Sequence, residues 1–165
     1  MYESMFNSIL CGNMERAIHM AGYFGKYKGL ETKEYLPNVL LGYGLKYAIL
    51  DERKKAREYI QKLEDNKNKT GMKQYNRGYR RVFSGLIDRN SDEFNEGLLF
   101  MLKNHRARMK RMGNCLEKYF AYDSIALAML AKHNGIPITV EHELLPMSYL
   151  EPLNIDYEEI TLFDN

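Results

Sequence analysis

Three times along this 165-residue chain an apolar helix end runs into a short polar turn and out into a helix with a small residue on its inner side. The three stretches are ILCGNMERAIHMA, AILDERKKAREYI and GLIDRNSDEFNEGLLFML. The small residues, Ala17, Ala56 and Gly97, lie 39 and 41 positions apart. A period of about forty residues is what stacked helical hairpins produce, because each hairpin buries its apolar face only against its neighbours.

The hydrophobic spacing between and within these stretches is helical throughout. Asn13 is placed to cap a helix with the inward stripe Ala17, Ile18, Ala21 and Phe24, and a first helix precedes it over residues 2–10. Pro37 suits a first helical turn, and VLLGYGLKYAIL after it is apolar nearly all round, which makes that helix central. Gly42 and Gly44 would let another helix approach it closely. Asp51 is expected to cap the next helix, whose inward positions are Ala56, Tyr59, Ile60 and Leu63. Beyond the loop DNKNKTG, Met72, Tyr75, Tyr79, Val82, Phe83, Leu86 and Ile87 share one helical face. Asn90 and Glu93 have capping-box spacing before the stripe Phe94, Leu98, Met101, Leu102, His105, Met109 and Met112, which Gly113 and Asn114 end. A last apolar helix, SIALAMLAKHN, closes at Gly135, a left-handed cap, and PITVEHELLP after it is extended or irregular.

These elements specify an all-α fold: antiparallel helix pairs stacked in a short TPR-like solenoid or an irregular bundle, with Leu40, Tyr59, Val82, Leu102 and Leu127 buried. A chain 45% hydrophobic and 28% charged has room for one domain over residues 1–165, burying roughly 70% of its unfolded surface. Its start, MYESMFNSIL, has neither the basic lead nor the cleavage site of a secretory signal, and no apolar window of about 18 residues spans a bilayer, so a cytoplasmic chain is expected. Cys11 and Cys115, 104 positions apart, read as reduced thiols rather than a disulfide or zinc site.

Catalytic and cofactor signatures are missing from the sequence. The four histidines, His19, His105, His133 and His142, form no HExxH or HxH, and there is no GxGxxG, GxxxxGK[ST] or GxSxG. His105 falls on an inward stripe and reads as a core histidine rather than a base, and His19 as a surface partner of Glu15. EHE at 141–143 is a weak ligand set, since neighbours in an extended chain point to opposite faces. The reading is a protein without enzymatic activity, cofactor or metal. RGYRR at 77–81 and KNHRARMKRM at 103–112 mix basic with aromatic or thioether residues, as nucleic-acid surfaces do. Helical spacing puts their aromatics and methionines on the buried stripe and the arginines elsewhere, the pattern of an ordinary amphipathic helix, so no nucleic-acid partner is expected.

Charge is distributed unevenly. From Glu141 onward there are seven carboxylates and no lysine or arginine, so that end carries −7 and the preceding body +9. The segment 137–165 is therefore expected to be acidic, largely irregular and packed on the helices through residues such as Leu144, Leu150, Leu153 and Ile155. Glu141, Glu143, Glu151, Asp156, Glu158 and Glu159 would then form a binding surface for a basic protein partner. The competing reading is that these acids pair with the chain's own basic helix near Arg106 to Arg111.

The run FNEGLLFMLKNHRARM through YDSIALAMLAKHNGI to HELLPMSYL resembles the end of bacterial immunity proteins of polymorphic toxin systems, in particular the Immunity protein 49 family. The elements that carry the resemblance are His105, the helix Ile125 to Leu130, Gly135 and the pair Leu145 and Pro146, over roughly residues 75 to 150. It implies a cytoplasmic protein that binds and neutralises a cognate toxin without a cofactor. The rival reading is a tetratricopeptide-like adaptor that binds a peptide or partner protein in a concave groove. With no ligand cluster in the sequence, the purified protein should contain no stoichiometric metal, and chelator should leave its melting temperature unchanged; a clear drop would overturn this reading.

Overall fold

A computed structural model of the chain describes residues 2–26, 36–65, 78–110 and 118–151. They form α1 (Glu3–Leu10), α2 (Met14–Tyr23), α3 (Pro37–Ile49), α4 (Arg53–Asp65), α5 (Tyr79–Asp88), α6 (Ser91–Met109) and α7 (Tyr122–His133), then a short 3-10 turn, Met147–Leu150. Among the described residues there is no strand, only a bridge between His142 and Leu145. The expected Met72, Tyr75, Met112, Gly113, Asn114 and Cys115 lie outside the described residues.

One kind of turn, used three times, produces the repeat. A helix end leaves carbonyls without N–H partners, and a left-handed residue just past the end lets the next two N–H groups turn back to them. After α1, Gly12 has φ +70°, its N–H reaches the Ile9 carbonyl at 2.8 Å, and the Asn13 N–H reaches that of Ser8 at 2.9 Å. After α3, Asp51 has φ +52° and the Glu52 N–H bonds to the Tyr47 carbonyl at 2.9 Å. After α5, Arg89 has φ +53° and the Asn90 N–H bonds to the Gly85 carbonyl at 2.9 Å. These left-handed residues stand at 12, 51 and 89, hence 39 and 38 positions apart. The same closure ends α7, where Gly135 has φ +76° and the Ile136 N–H reaches the Ala131 carbonyl at 2.9 Å.

The next helix starts at once. Asn13 and Asn90 accept bonds from the N–H groups of Arg16 (2.8 Å) and Glu93 (3.1 Å), as their spacing predicts. Asp51 departs from expectation. It is spent on the left-handed position, so Glu52 precedes α4 and its carbonyl accepts from the Ala56 N–H at 3.0 Å. The Asp51 carboxylate meets the Arg53 side chain at 3.0 Å instead of capping the helix.

The pairs α1/α2, α3/α4 and α5/α6 stack in chain order, and α7 comes back to α1. Phe6 and Tyr122 meet edge to face there, with centroids 5.9 Å apart. The two alternatives for the array thus resolve towards a closed bundle. α3 runs through the middle with Val39, Leu40, Leu41, Leu45 and Ala48 buried. Leu40, Val82, Leu102 and Leu127 are buried as expected, whereas Tyr59 is half-buried. It stacks on Tyr43 at 4.7 Å and Tyr47 at 5.5 Å, an arrangement that covers part of the ring. Ile18 is 46% exposed, because α2 turns only the narrow face of Ala17 and Ala21 inward.

Glycine permits the closest approaches. A Cβ on Gly85 would lie 2.4 Å from the Phe94 backbone nitrogen, and one on Gly97 would lie 2.8 Å from that of Val82, so α5 and α6 meet backbone to backbone. Gly42 seats the Phe24 ring, whose Cζ would be 2.2 Å from an added Cβ. Gly44, also expected to admit a helix, meets only Ile60 Cγ1, at an ordinary 4.0 Å. Gly85→Ala should therefore destabilise by about 2–3 kcal/mol as the pair is forced apart. Gly44→Ala should gain about 0.5–1 kcal/mol from helix propensity. Chemical denaturation of both variants checks the contrast, and equal effects would refute it.

Candidate partner-binding surface

An acidic surface at the C-terminal end has meaning only if the segment that carries it is held on the helices. After α7 the chain runs back along α6, and a buried amide holds it there. The Asn95 side-chain NH2 donates to the Pro137 carbonyl at 2.9 Å, and its Oδ1 accepts from the Thr139 N–H at 2.8 Å. One side chain thus imitates a strand neighbour for the passing backbone. Its NH2 also donates to the Ser91 carbonyl at 2.8 Å, and the Ser91 hydroxyl donates to the Pro137 carbonyl at 3.1 Å. Farther on, Val140, Leu144, Leu145 and Leu150 are buried, and Lys132 Nζ donates to the Leu150 carbonyl at 2.8 Å.

Of the six carboxylates proposed from the sequence, Glu141, Glu143 and Glu151 lie on this held segment and are exposed. Asp156, Glu158 and Glu159 lie outside the described residues. Glu143 meets Arg106 of α6 at 3.1 Å, with both side chains 56% exposed. Such a surface pair stabilises little. It still realises, for Glu143, the pairing with the chain's own basic helix. Between the two glutamates, His142 is half-buried and its Nδ1 accepts the Leu144 N–H at 3.2 Å. Burial lowers its pKa first, and Arg106 and Lys103 add to this against the opposing pull of Glu143. The ring is therefore neutral at pH 7 and shapes the turn at 142–145 as an acceptor.

The other singled-out residues have structural partners. His105 is buried on α6, with its Nδ1 3.4 Å from Arg108 Nη2, as its stripe position predicts. His19 lies against Tyr23, with ring centroids 4.8 Å apart and planes tilted by 41°, in place of the expected pairing with Glu15. In the basic segments Arg81 pairs with Glu96 at 2.8 Å and Arg80 with Glu64 at 3.8 Å. Buried Tyr79 donates its hydroxyl to Asp123 at the start of α7. Burial, aided by the Asp123 charge, pushes this phenol well above its ordinary range, so it remains a donor. Among the described residues no group of three or more His, Cys, Asp or Glu is placed to hold a metal, and no helix is long and apolar enough to cross a membrane.

The sequence model of Immunity protein 49 matches residues 46–149, well over half of the chain. The chain belongs to the Immunity protein 49 family. No curated protein and no solved structure matches it. The family span begins late in α3 and ends in the 3-10 turn, so it contains the Asn95 attachment, the Arg106–Glu143 pair, Glu141 and Glu143. α1, α2 and Glu151 lie outside it.

Neither Asn95 nor the Tyr79–Asp123 bond was anticipated from sequence. Asparagine disfavours helix interiors, so its place beside the Phe94 stripe was the available signal for Asn95. Asn95→Ala should cost about 1–2 kcal/mol, since the exposed Pro137 and Thr139 groups regain water. Amide exchange at Thr139 should quicken while that of the α3 core stays slow; unchanged exchange at Thr139 would show that the segment is held by its leucines alone.

Proposed function

We propose that this chain is an immunity protein that binds and neutralises a cognate toxin by direct protein–protein contact, without a catalytic step or cofactor, in the cytoplasm. The observation that carries this reading is the family match over residues 46–149. The charge distribution supports a protein partner of basic character, as −7 is gathered after residue 140. Glu141, Glu143, Glu151, Asp156, Glu158 and Glu159 form the acidic contact surface of this proposal. The held segment supports it, because Glu141 and Glu143 project from backbone anchored on α6. An oriented surface loses less entropy on binding than a free one. The adaptor reading is less well supported, because α7 closes the helix array against α1 where an open solenoid would present a concave groove.

The test is co-expression with the product of any neighbouring gene that arrests growth when expressed alone. The chain should restore growth and co-purify with the toxin, with association strongest at low salt. Charge reversal of Glu151, Asp156, Glu158 and Glu159 together should weaken binding by about tenfold and flatten its salt dependence. If binding and its salt dependence persist while the melting temperature falls, these acids brace the fold and the interface lies elsewhere; failure of the wild-type chain to protect sinks the reading.

A further inference from the structure

Among the described residues seven large apolar side chains stand well exposed, and four of them, Tyr119, Phe120, Met147 and Tyr149, come from two short stretches flanking α7. These stretches meet where Phe120 and Tyr149 pack edge to face, with centroids 6.0 Å apart. Both rings line a groove of about 380 Å³. Ile125 and Met129 of α7 also line it, and Leu10 contributes from the end of α1. Two exposed aromatic rings over a concavity that is also lined by Leu10, Ile125 and Met129 are the composition of a protein contact rather than of a solvated face.

Charge says which kind of protein fits. Among the described residues Glu151 is the only charged one lining the groove. The chain that follows it carries Asp156, Glu158, Glu159 and Asp164 and no lysine or arginine. Lys132, the last cation in the sequence, is occupied by the Leu150 carbonyl at 2.8 Å. An apolar groove bordered by the Glu151 carboxylate is complementary to an apolar side chain presented beside a basic one. We propose that this groove receives an apolar anchor of the toxin beside a lysine or arginine side chain. This rests on the immunity reading above and gives it a central contact, with Glu151 at its rim. Phe120, Ile125, Met129 and Tyr149 lie within the family span, whereas Leu10 and Glu151 lie outside it, so the site joins the shared scaffold to parts of the chain beyond it.

The experiment uses the full chain and, in purified and inactivated form, the growth-arresting product of a neighbouring gene identified in the co-expression test above. Phe120→Ser combined with Tyr149→Ser should weaken binding about thirtyfold, the loss of an aromatic hot spot, and abolish growth protection. Glu151→Lys should weaken it about tenfold, mainly at low salt. Phe100→Ser, which removes an exposed ring of α6 beside Arg80 and Arg81, should change nothing. If the wild-type chain binds and the groove variants bind equally well, the groove is refuted and the immunity reading stands. If the wild-type chain neither binds nor protects, both fall. Should the groove pair convert a dimer to a monomer, or lower the melting temperature while toxin affinity is kept, the groove belongs to a second copy or to the chain's own C-terminal segment, and the proposal is overturned.

Discussion

A hairpin of two helices must satisfy the last carbonyls of one helix and the first N–H groups of the next within a few residues. This chain meets that constraint each time with a left-handed residue followed closely by a new helix start. At 12 the residue is glycine, but at 51 and 89 it is aspartate and arginine, which cost about 1 kcal/mol each in that conformation. The two costly positions face each other. Arg89 lies 3.9 Å from the Asp51 carboxylate, and Arg57 of α4 pairs with Asp88 at the same level. Turns of neighbouring hairpins are thereby brought side by side, and the short turns oblige the helices to pack as antiparallel neighbours.

Once the pairs are formed, their spacing follows from side-chain volume. Gly85 and Gly97 bring α5 and α6 into backbone contact, while Gly42 accepts a ring, so the pairs are not equivalent in depth. α7 then closes the array against α1, and Tyr79 of α5 bonds to Asp123 at its first turn. That closure sets the path of the chain beyond Gly135. It runs along α6, where Asn95 supplies a donor to the Pro137 carbonyl and an acceptor to the Thr139 N–H.

The acidic end is consequently not one uniform feature. Glu143 answers Arg106 within the molecule, while Glu141 is exposed on a segment held by buried Val140 and Leu144. Glu151 borders an apolar groove that needs three separate parts of the chain: the end of α1, α7 with Phe120 ahead of it, and the 3-10 turn. A charge count treats these carboxylates alike, whereas their surroundings differ: Glu143 lies against Arg106, Glu141 faces solvent and Glu151 lines the groove.

Helix positions, the caps at Asn13, Asn90 and Gly135, and most of the core stripe were determined by the sequence itself. Each depends on interactions within about four residues, which spacing records directly. The hairpin repeat and the family resemblance were legible for the same reason, being patterns of local packing residues. Asp51 was misread because an aspartate before a helix suits both a cap and a left-handed turn, and only the closing of α3 chooses between them. Ile18 was placed inward by period alone, which fixes a direction on a helix but not whether a neighbour stands there, while Tyr59, placed by the same rule, is half covered by Tyr43 and Tyr47. The partners of Asn95 and Tyr79 lie more than 40 residues away in the chain. They, the pairing of Glu143 with Arg106 and the groove at Glu151 were decided by tertiary structure alone, because the closure of α7 onto α1 and the return of the chain along α6 bring these groups together.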